Sequence, residues 1–266
     1  MRQVNGDPSR PSAVPVTDAR AEATFLRSVA VRAGYDVKTL VAGYPAIAMP
    51  AARLRRRHGV VLGSGTELVI EGYPRSANNF AVIAFAHAQG RPIAIAHHTH
   101  APAHLIAAIR AGVPALMLIR QPEDAVLEFV IARPALSFGG ALRGYIRFAQ
   151  RLLPLRDQLG IGLFPVVTSD FGTVIRAVND KFATNFVEFA HTDTNVRRCF
   201  AEMEHYWSSR ADLGTIERRI GRPSILREKL KNTLRACYHQ PGLSPLRAQA
   251  NELYAAFSVN HTDISR

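Results

Sequence analysis

The sequence contains little of what a disulfide-bonded, metal-stapled or membrane-spanning protein needs. Among 266 residues there are two cysteines, Cys199 and Cys237, in no metal-ligand spacing and no disulfide framework. No run of about 18 residues or more is apolar throughout, and the most apolar early stretch, residues 39–52, is short and contains prolines. The polar, proline-rich N-terminus lacks the pattern of a secretory signal. We therefore expect a reducing cytoplasm and no transmembrane segment.

Lysine is also scarce. Only four of the 33 basic residues are lysines, so arginine carries most of the formal charge of +12. Guanidinium groups bind phosphate and sulfate through a planar fork of donors. Positive charge also suits nucleic acid, but the arginines are spread along the chain apart from positions 53 and 55–57, and no nucleic-acid-binding motif accompanies them. We therefore expect small anionic ligands and no stable nucleic-acid partner.

Short apolar runs alternate with helical segments through the middle of the chain. This alternation predicts an α/β fold, with a central parallel sheet and helices on both faces. The predicted strands are residues 68–70, 93–96, 114–119 and 163–168. The predicted helices are residues 77–89, 102–111, a helix opened by Pro122, and residues 140–159.

The predicted organisation is a single domain over residues 21–266 after a disordered arm of residues 1–20, which is rich in proline and serine. Residues 21–66 are a helical segment, residues 67–190 the α/β core, and residues 191–266 a helical extension. The oligomeric state stays open, with a homodimer among the states allowed. The predicted helices of the extension are residues 194–208, 211–220, 224–239 and 244–257.

A tight turn follows the first predicted strand and leads into a helix. Its sequence is Tyr73-Pro74-Arg75-Ser76-Ala77-Asn78-Asn79-Phe80. A strand, turn and helix in this order present backbone N–H groups and the positive end of the helix dipole to an anion. Arg75 adds a cation, while Ser76 and Asn78 are explained equally well as helix caps. The pattern GxxxxGK[ST] is absent, which argues against an ATPase or an ordinary kinase.

Three segments, in order along the chain, resemble motifs of the sulfotransferases that use 3'-phosphoadenosine-5'-phosphosulfate. The turn resembles their phosphosulfate-binding loop. His98-Thr99-His100-Ala101-Pro102 resembles the segment that carries the catalytic histidine, and Leu118-Ile119-Arg120-Gln121-Pro122-Glu123-Asp124 resembles the segment that binds the 3'-phosphate. Residues 166–186 resemble, more weakly, the family's strand and helix ending in Lys-Phe-x-x-x-Phe. The likeness covers residues 68–186, about half of the chain.

The resemblance implies a P-loop-like, nucleotide-binding turn and transfer of a sulfuryl group to a hydroxyl or amine of a small-molecule or carbohydrate acceptor. His100 would take the acceptor's proton, Arg75 would stabilise the oxygen that bridges to the leaving nucleotide, and His98 would orient the sulfate. In an extended segment, His98 and His100 are expected on the same side. The scheme requires no metal. The implied donor-binding residues are Arg75, Ser76, Ala77, Asn78, Asn79, Phe80, Arg120 and the position of Glu128.

The chain also departs from the family pattern. Ala77 stands where the family has glycine, His98 where it has lysine, and Glu128 where it has a phosphate-binding serine. The closing Arg-Lys-Gly segment is not recognisable, and Arg222-Pro223-Ser224 with Arg227 are candidates to supply its cations instead. These departures keep open a non-catalytic protein that binds a nucleotide or a partner. A nucleotide kinase is a further alternative.

Four histidines, His97, His98, His100 and His104, cluster after the second predicted strand. Besides catalysis, they allow a structural loop, or a metal site that uses His100 and His104 at helical i, i+4 spacing. The absence of an HExxH pattern disfavours the metal.

Several other residues have simpler interpretations. Asp124 is interpreted as a first-turn helix acid as readily as a ligand. Glu128 reads as a charge on a helix surface. Phe200, Tyr206 and Trp207 are interpreted as core residues rather than as a stack for the acceptor.

Overall fold

The computed structural model describes residues 16–55, 60–208 and 224–259. Within these ranges, four parallel strands form one sheet in the order β2-β1-β3-β4, and helices flank it. This arrangement confirms the α/β fold with a parallel sheet. The strands are β1 (Leu68–Gly72), β2 (Ile95–His97), β3 (Ala115–Ile119) and β4 (Gly160–Leu163).

Helices account for most of the remaining described residues. Before the sheet lie α1 (Val16–Val41) and α2 (Pro45–Arg55). Between strands lie α3 (Asn78–Gln89), α4 (Pro102–Arg110), α5 (Pro122–Ala132) and α6 (Phe138–Leu152). After β4 come α7 (Phe164–Ser169), α8 (Phe171–Phe182), α9 (Asp193–Ser208), α10 (Ile225–Tyr238) and α11 (Ser244–Ser258). None of the helices in the described ranges has the length and apolar character needed to span a bilayer.

The ends of the chain match the prediction in part. Helix α1 begins at Val16, inside the segment predicted as a disordered arm, while residues 1–15 lie outside the described residues. Three of the four predicted C-terminal helices are confirmed as α9, α10 and α11. The predicted helix at residues 211–220 lies outside the described residues.

Side chains of the central strands alternate between two apolar cores. Leu68 and Ile70 of β1 pack in a core with α3, α7 and α8, whereas Val69 points into the other core with α4, α5 and α6. Strand β3 alternates in the same way. Consecutive residues of β1 and β3 are mostly apolar because both faces of the sheet are covered.

The sheet order brings the predicted site segments to one crevice. Strand β1 pairs with β2 on one side and with β3 on the other, so the connections after β1 and β3 leave in different directions. Open parallel sheets bind ligands outside the carboxyl ends of strands at such a switch point. The Tyr73 turn follows β1 and Arg120 follows β3, so both lie at this crevice.

The fourth strand was predicted at the wrong place. The strand is Gly160–Leu163, so only residue 163 of the predicted range 163–168 belongs to it, and Phe164–Ser169 is the short helix α7. Pro165 stands in the first turn of α7, where its missing N–H costs nothing, so the apolar run is helical. The weak likeness over residues 166–186 therefore lacks the strand that it implied. Similarly, α6 ends at Leu152 and a 3-10 helix containing Pro154 follows, instead of one helix to residue 159.

Helix α1 forms one wall beside the crevice because it is pinned to α6. Arg143 donates to the Asp36 carboxylate at 2.6 Å, and Arg147 donates to the same carboxylate at 2.8 Å. A Cβ atom added to Gly144 would lie 2.9 Å from Cζ of Tyr35, so the glycine allows the Tyr35 ring to pack directly on the α6 backbone.

Gly72 allows β1 and β3 to approach below the turn, and its replacement tests this packing. A Cβ atom there would lie 2.5 Å from the Leu118 carbonyl oxygen. We expect Gly72→Ala to lower the free energy of unfolding by about 2 kcal/mol or more, measured by urea denaturation. Gly34→Ala is the control: no atom lies within 4 Å of its added methyl, so stability should be unchanged or should rise. Equal stability of the two variants would contradict the close approach.

Candidate functional site

The turn after β1 holds two residues in unusual backbone conformations. Arg75 and Ala77 are left-handed, with φ of 73° and 67°. The left-handed conformation costs an L-residue roughly 1–2 kcal/mol. Ala77 therefore adopts under strain a conformation that glycine adopts freely. The alanine therefore does not prevent the left-handed turn that leads directly into α3.

Polar groups at the start of α3 lack partners within the described residues. The N–H groups in the first turn of a helix have no acceptor inside the helix, and Ala77 has no side chain to cap them. The Oγ atom of Ser76 and the Oδ1 atom of Asn78 are buried and make no hydrogen bond with the described part of the chain. The N–H of Ser76 is already donated to the Tyr73 carbonyl at 3.3 Å, so the available amides begin at Ala77. These amides are donors and suit an anionic ligand, whereas Asn78 Oδ1 can only accept a hydrogen bond.

Arg75 and Arg120 lie close together at the ends of β1 and β3. Arg120 Nη1 donates to the Arg75 carbonyl at 3.1 Å, and Arg75 Nη2 donates to Glu128 at 3.2 Å. The Arg120 guanidinium also stacks over the Phe164 ring at 3.9 Å. Burial, followed by the charge of Arg227, lowers the pKa of Arg75 to about 10, so this group stays charged at neutral pH.

The histidine segment after β2 is not extended, contrary to expectation. His98 and His100 have φ of 63° and 51°, so strand alternation does not relate their side chains. The two rings nevertheless lie 5.7 Å apart between centroids. His98 Nε2 donates to Oδ1 of Asn79, which joins this segment to the first turn of α3. Left-handed non-glycine residues cost energy and concentrate at functional sites.

His100 is held in one tautomer. Its Nδ1 lies 3.0 Å from the Gly72 carbonyl oxygen, which can only accept, so Nδ1 carries the proton and Nε2 has the lone pair. Its side chain is 27% exposed, and none of the described residues hydrogen-bonds to Nε2. Burial lowers the pKa of His100, which keeps the imidazole neutral near pH 7. A neutral imidazole with an available lone pair is suited to accept a proton.

Glu71 is a residue of the candidate site that the sequence analysis missed. Its carboxylate is completely buried and accepts hydrogen bonds from the Thr99 N–H at 2.6 Å, the Thr99 hydroxyl at 2.7 Å and the His100 N–H at 3.0 Å. Burial opposes ionisation, but hydrogen bonds, that of His104 first, outweigh it and lower the pKa of Glu71 to about 2. One acidic residue in the otherwise apolar run Leu68–Gly72 was the signal available in the sequence.

His104 has a structural role. Its Nδ1 donates to Glu71 at 2.9 Å, and its Nε2 accepts the Leu62 N–H at 3.0 Å. Both ring nitrogens are therefore engaged, so His104 cannot pair with His100 as the i, i+4 metal ligands that the sequence allowed. No group of three or more potential metal-ligating side chains occurs in the part of the chain that the structure describes.

Glu128 is buried, so its interpretation as a helix-surface charge was wrong. Its Oε2 accepts from Arg227 Nη1 at 2.8 Å as well as from Arg75, and Lys231 Nζ lies 3.6 Å from Oε1. Burial would raise the pKa of Glu128, but the neighbouring cations, Arg227 first, lower it. Arg227 of α10 thus places a cation at the site. It is one of the candidates named above for the cations of the closing Arg-Lys-Gly segment. Arg222 and Pro223 lie outside the described residues, and Ser224 caps α10 by accepting the Arg227 N–H.

One cavity of about 1640 Å³ joins these groups. Arg75, His98, His100 and Arg120 line it, so the structure brings the predicted catalytic residues and the predicted phosphate-binding arginine to one space. Ser76 is fully buried and lies behind the wall. The other implied donor-binding residues that line the cavity are Ala77, Asn78, Asn79, Phe80 and Glu128.

The aromatic residues of α9 also reach this cavity. Phe200 and Tyr206 line it, and the Phe200 ring lies 6.0 Å from that of Phe80 between centroids. Phe200 packs against the apolar core as predicted, whereas Tyr206 is 40% exposed and does not belong to the core. The side chain of Trp207 lies outside the described residues.

The chain matches no protein-family model, no curated protein and no solved structure. Its function therefore has to be inferred from the side chains at this cavity.

The Glu71 carboxylate predicts a specific acid sensitivity. Its folded-state pKa of about 2 lies below the ordinary 4.5, so its contribution to stability is present above pH 4.5 and is lost as the pH falls towards about 2. We expect Glu71→Gln to cost about 3 kcal/mol at neutral pH and to flatten the pH dependence of stability in this window. Urea denaturation at a series of pH values measures both effects.

Glu188→Gln is the matched control for this measurement, because Glu188 is an exposed carboxylate paired with Arg176. Its variant should keep the pH dependence of the wild type. If Glu71→Gln showed the same acid slope as the wild type, the assignment of Glu71 as an ionised buried group would fail.

Proposed function

We propose that this chain transfers a sulfuryl group from 3'-phosphoadenosine-5'-phosphosulfate to a hydroxyl or amine of an acceptor molecule. The proposal rests on one observation. A single cavity is lined by Arg75 of the turn and by His100, whose Nε2 atom carries a lone pair. Sulfuryl transfer needs an anion-holding site and a nearby base, and little else from the protein.

The donor end of the cavity would be the start of α3. The amides of residues 77–80, together with the positive end of the helix dipole, would hold the 5'-phosphate and sulfate. In this proposal the turn is a P-loop-like phosphosulfate-binding turn. Arg75 would stabilise the charge that develops on the bridging oxygen, and Arg120 would lie beside the nucleotide's second phosphate.

The chemical step would be an in-line displacement at sulfur. The acceptor oxygen or nitrogen forms a bond to sulfur while the bond from sulfur to the bridging oxygen breaks, and that oxygen keeps the electron pair. His100 Nε2 takes the acceptor's proton. The Gly72 carbonyl holds the opposite ring nitrogen, and the Glu71 carboxylate, 4.0 Å from Nδ1, stabilises the imidazolium that forms. No metal has a role in these steps.

The acceptor would enter beside α1. Tyr35, Phe129 and Phe148 line the cavity there, and Lys38 and Arg133 influence the charge state of His100. Aromatic side chains favour an acceptor with an apolar body, such as a phenol or a longer alcohol, over a bare sugar. Both cysteines are free thiols, which agrees with the reducing cytoplasm proposed as its compartment.

Nucleotide binding provides the first test. We expect adenosine 3',5'-bisphosphate to raise the melting temperature of the protein and Mg²⁺ to add nothing to any stabilisation by ATP, because the Asp124, Glu128 and Glu228 carboxylates are paired with cations of the protein. Thermal-shift titration with each nucleotide measures this. Stabilisation by ATP with Mg²⁺ alone would favour the nucleotide kinase and contradict the sulfotransferase. Binding of the bisphosphate without any sulfuryl transfer would favour the non-catalytic alternative.

The role of His100 provides the second test. We expect His100→Gln to reduce transfer of labelled sulfate to a screened acceptor by about 100-fold or more, since removal of a general base costs that much, while nucleotide binding persists. His239→Gln is the control, because His239 pairs with Glu123 on the surface. Full turnover in His100→Gln, or an equal loss in both variants, would remove His100 from the mechanism.

A further inference from the structure

A cluster of four cations lines the cavity around Glu128, and three separate elements supply them. Arg75 comes from the turn, Arg120 from the end of β3, and Arg227 and Lys231 from α10. The Arg227 and Lys231 side chains are 2% and 9% exposed. Cations brought together at this burial need an anion, either from the protein or from a ligand.

Carboxylates of the protein supply most of this negative charge. The buried Glu128 carboxylate contacts Arg75, Arg227 and Lys231, the last at 3.6 Å. Two further carboxylates lie within ion-pair distance: Asp124, 3.9 Å from Arg120 and 3.7 Å from Lys231, and Glu228, 2.7 Å from Lys231. The described residues thus give the cluster four cations and three carboxylates, a formal charge of +1.

A net charge of +1 is too small to balance the charge of a phosphate monoester. Such a group carries about −1.5 to −2 at pH 7, and the Glu128 carboxylate would repel it at close range. Glu128 is also the most buried of the three carboxylates, with 7% of its side chain exposed against 39% for Asp124 and 57% for Glu228. Its charge is therefore the least screened by water.

We propose that Glu128 is a built-in counter-ion of this second anion subsite, so that the chain gains little affinity from a 3'-phosphate on the nucleotide. Nucleoside 5'-phosphosulfates without a 3'-phosphate then belong to its donor class alongside the doubly phosphorylated donor. This inference rests on the proposed function, because it concerns the nucleotide that the turn would hold. Arg75 links the two subsites, since its left-handed backbone shapes the turn and its guanidinium contacts Glu128.

The test compares two stable nucleotides, adenosine 5'-monophosphate and adenosine 3',5'-bisphosphate, by isothermal titration calorimetry on the full chain. On the wild type we expect the two dissociation constants to differ by less than about tenfold. In Glu128→Gln the bisphosphate should bind about tenfold tighter or more, with a smaller change for the monophosphate, because one buried negative charge is removed.

Glu123→Gln is the matched control. Glu123 stands on the same helix and makes ion pairs with Arg235 and His239, outside the cavity lining. The substitution changes the net charge of the protein by the same amount, so the selectivity of this variant should equal that of the wild type. A gain for the bisphosphate in both variants would show a general charge effect and overturn the role of Glu128.

The measurement on the wild type tests the inference even if the Glu128→Gln variant does not fold. If the bisphosphate binds the wild type about 100-fold tighter than the monophosphate, the subsite selects a 3'-phosphate and the inference about Glu128 fails, while the proposed function stands. If neither nucleotide binds the wild type, the proposed function fails together with the inference. Comparable binding of both supports the counter-ion.

Discussion

The buried carboxylate of Glu71 is the constraint on which the rest of the site depends. An ionised carboxylate in the interior is tolerated only when hydrogen-bond donors surround it, and here the donors come from Thr99, His100 and His104. The loop between β2 and α4 therefore folds around the end of β1. Its left-handed residues follow from this requirement, and so does the position of His100 against the Gly72 carbonyl.

A second buried carboxylate, Glu128, organises another part of the cavity in a complementary way. Glu71 is surrounded by imidazoles and backbone amides, so it orients a neutral base. Glu128 is surrounded by guanidinium and ammonium groups, so it balances cations that would otherwise lie unpaired. The turn at Arg75 lies between the two. One cavity therefore holds a group suited to proton transfer and groups suited to anion binding.

Only the sheet order makes this arrangement possible. Arg75, His100 and Arg120 follow the carboxyl ends of β1, β2 and β3, and parallel pairing places those ends at one edge. The cations of α10 lie about a hundred residues later in the chain than the residues they contact. Arg227, for example, contacts Glu128. The C-terminal helices thus complete the wall of the site, in addition to extending the core.

The sequence by itself determined the local elements. Apolar runs and helical periodicity located β1, β3 and most helices, and a strand, turn and helix marked Arg75 as a site residue, because these signals depend on neighbours in the chain. Periodicity failed at Gly160–Leu163, where a short strand containing two glycines carries little β-propensity. Only the tertiary structure decided the roles of Glu71 and Glu128, and which of the candidate C-terminal cations contacts Glu128. The charge state and use of a buried ionisable group depend on partners distant in sequence, and no local pattern records them.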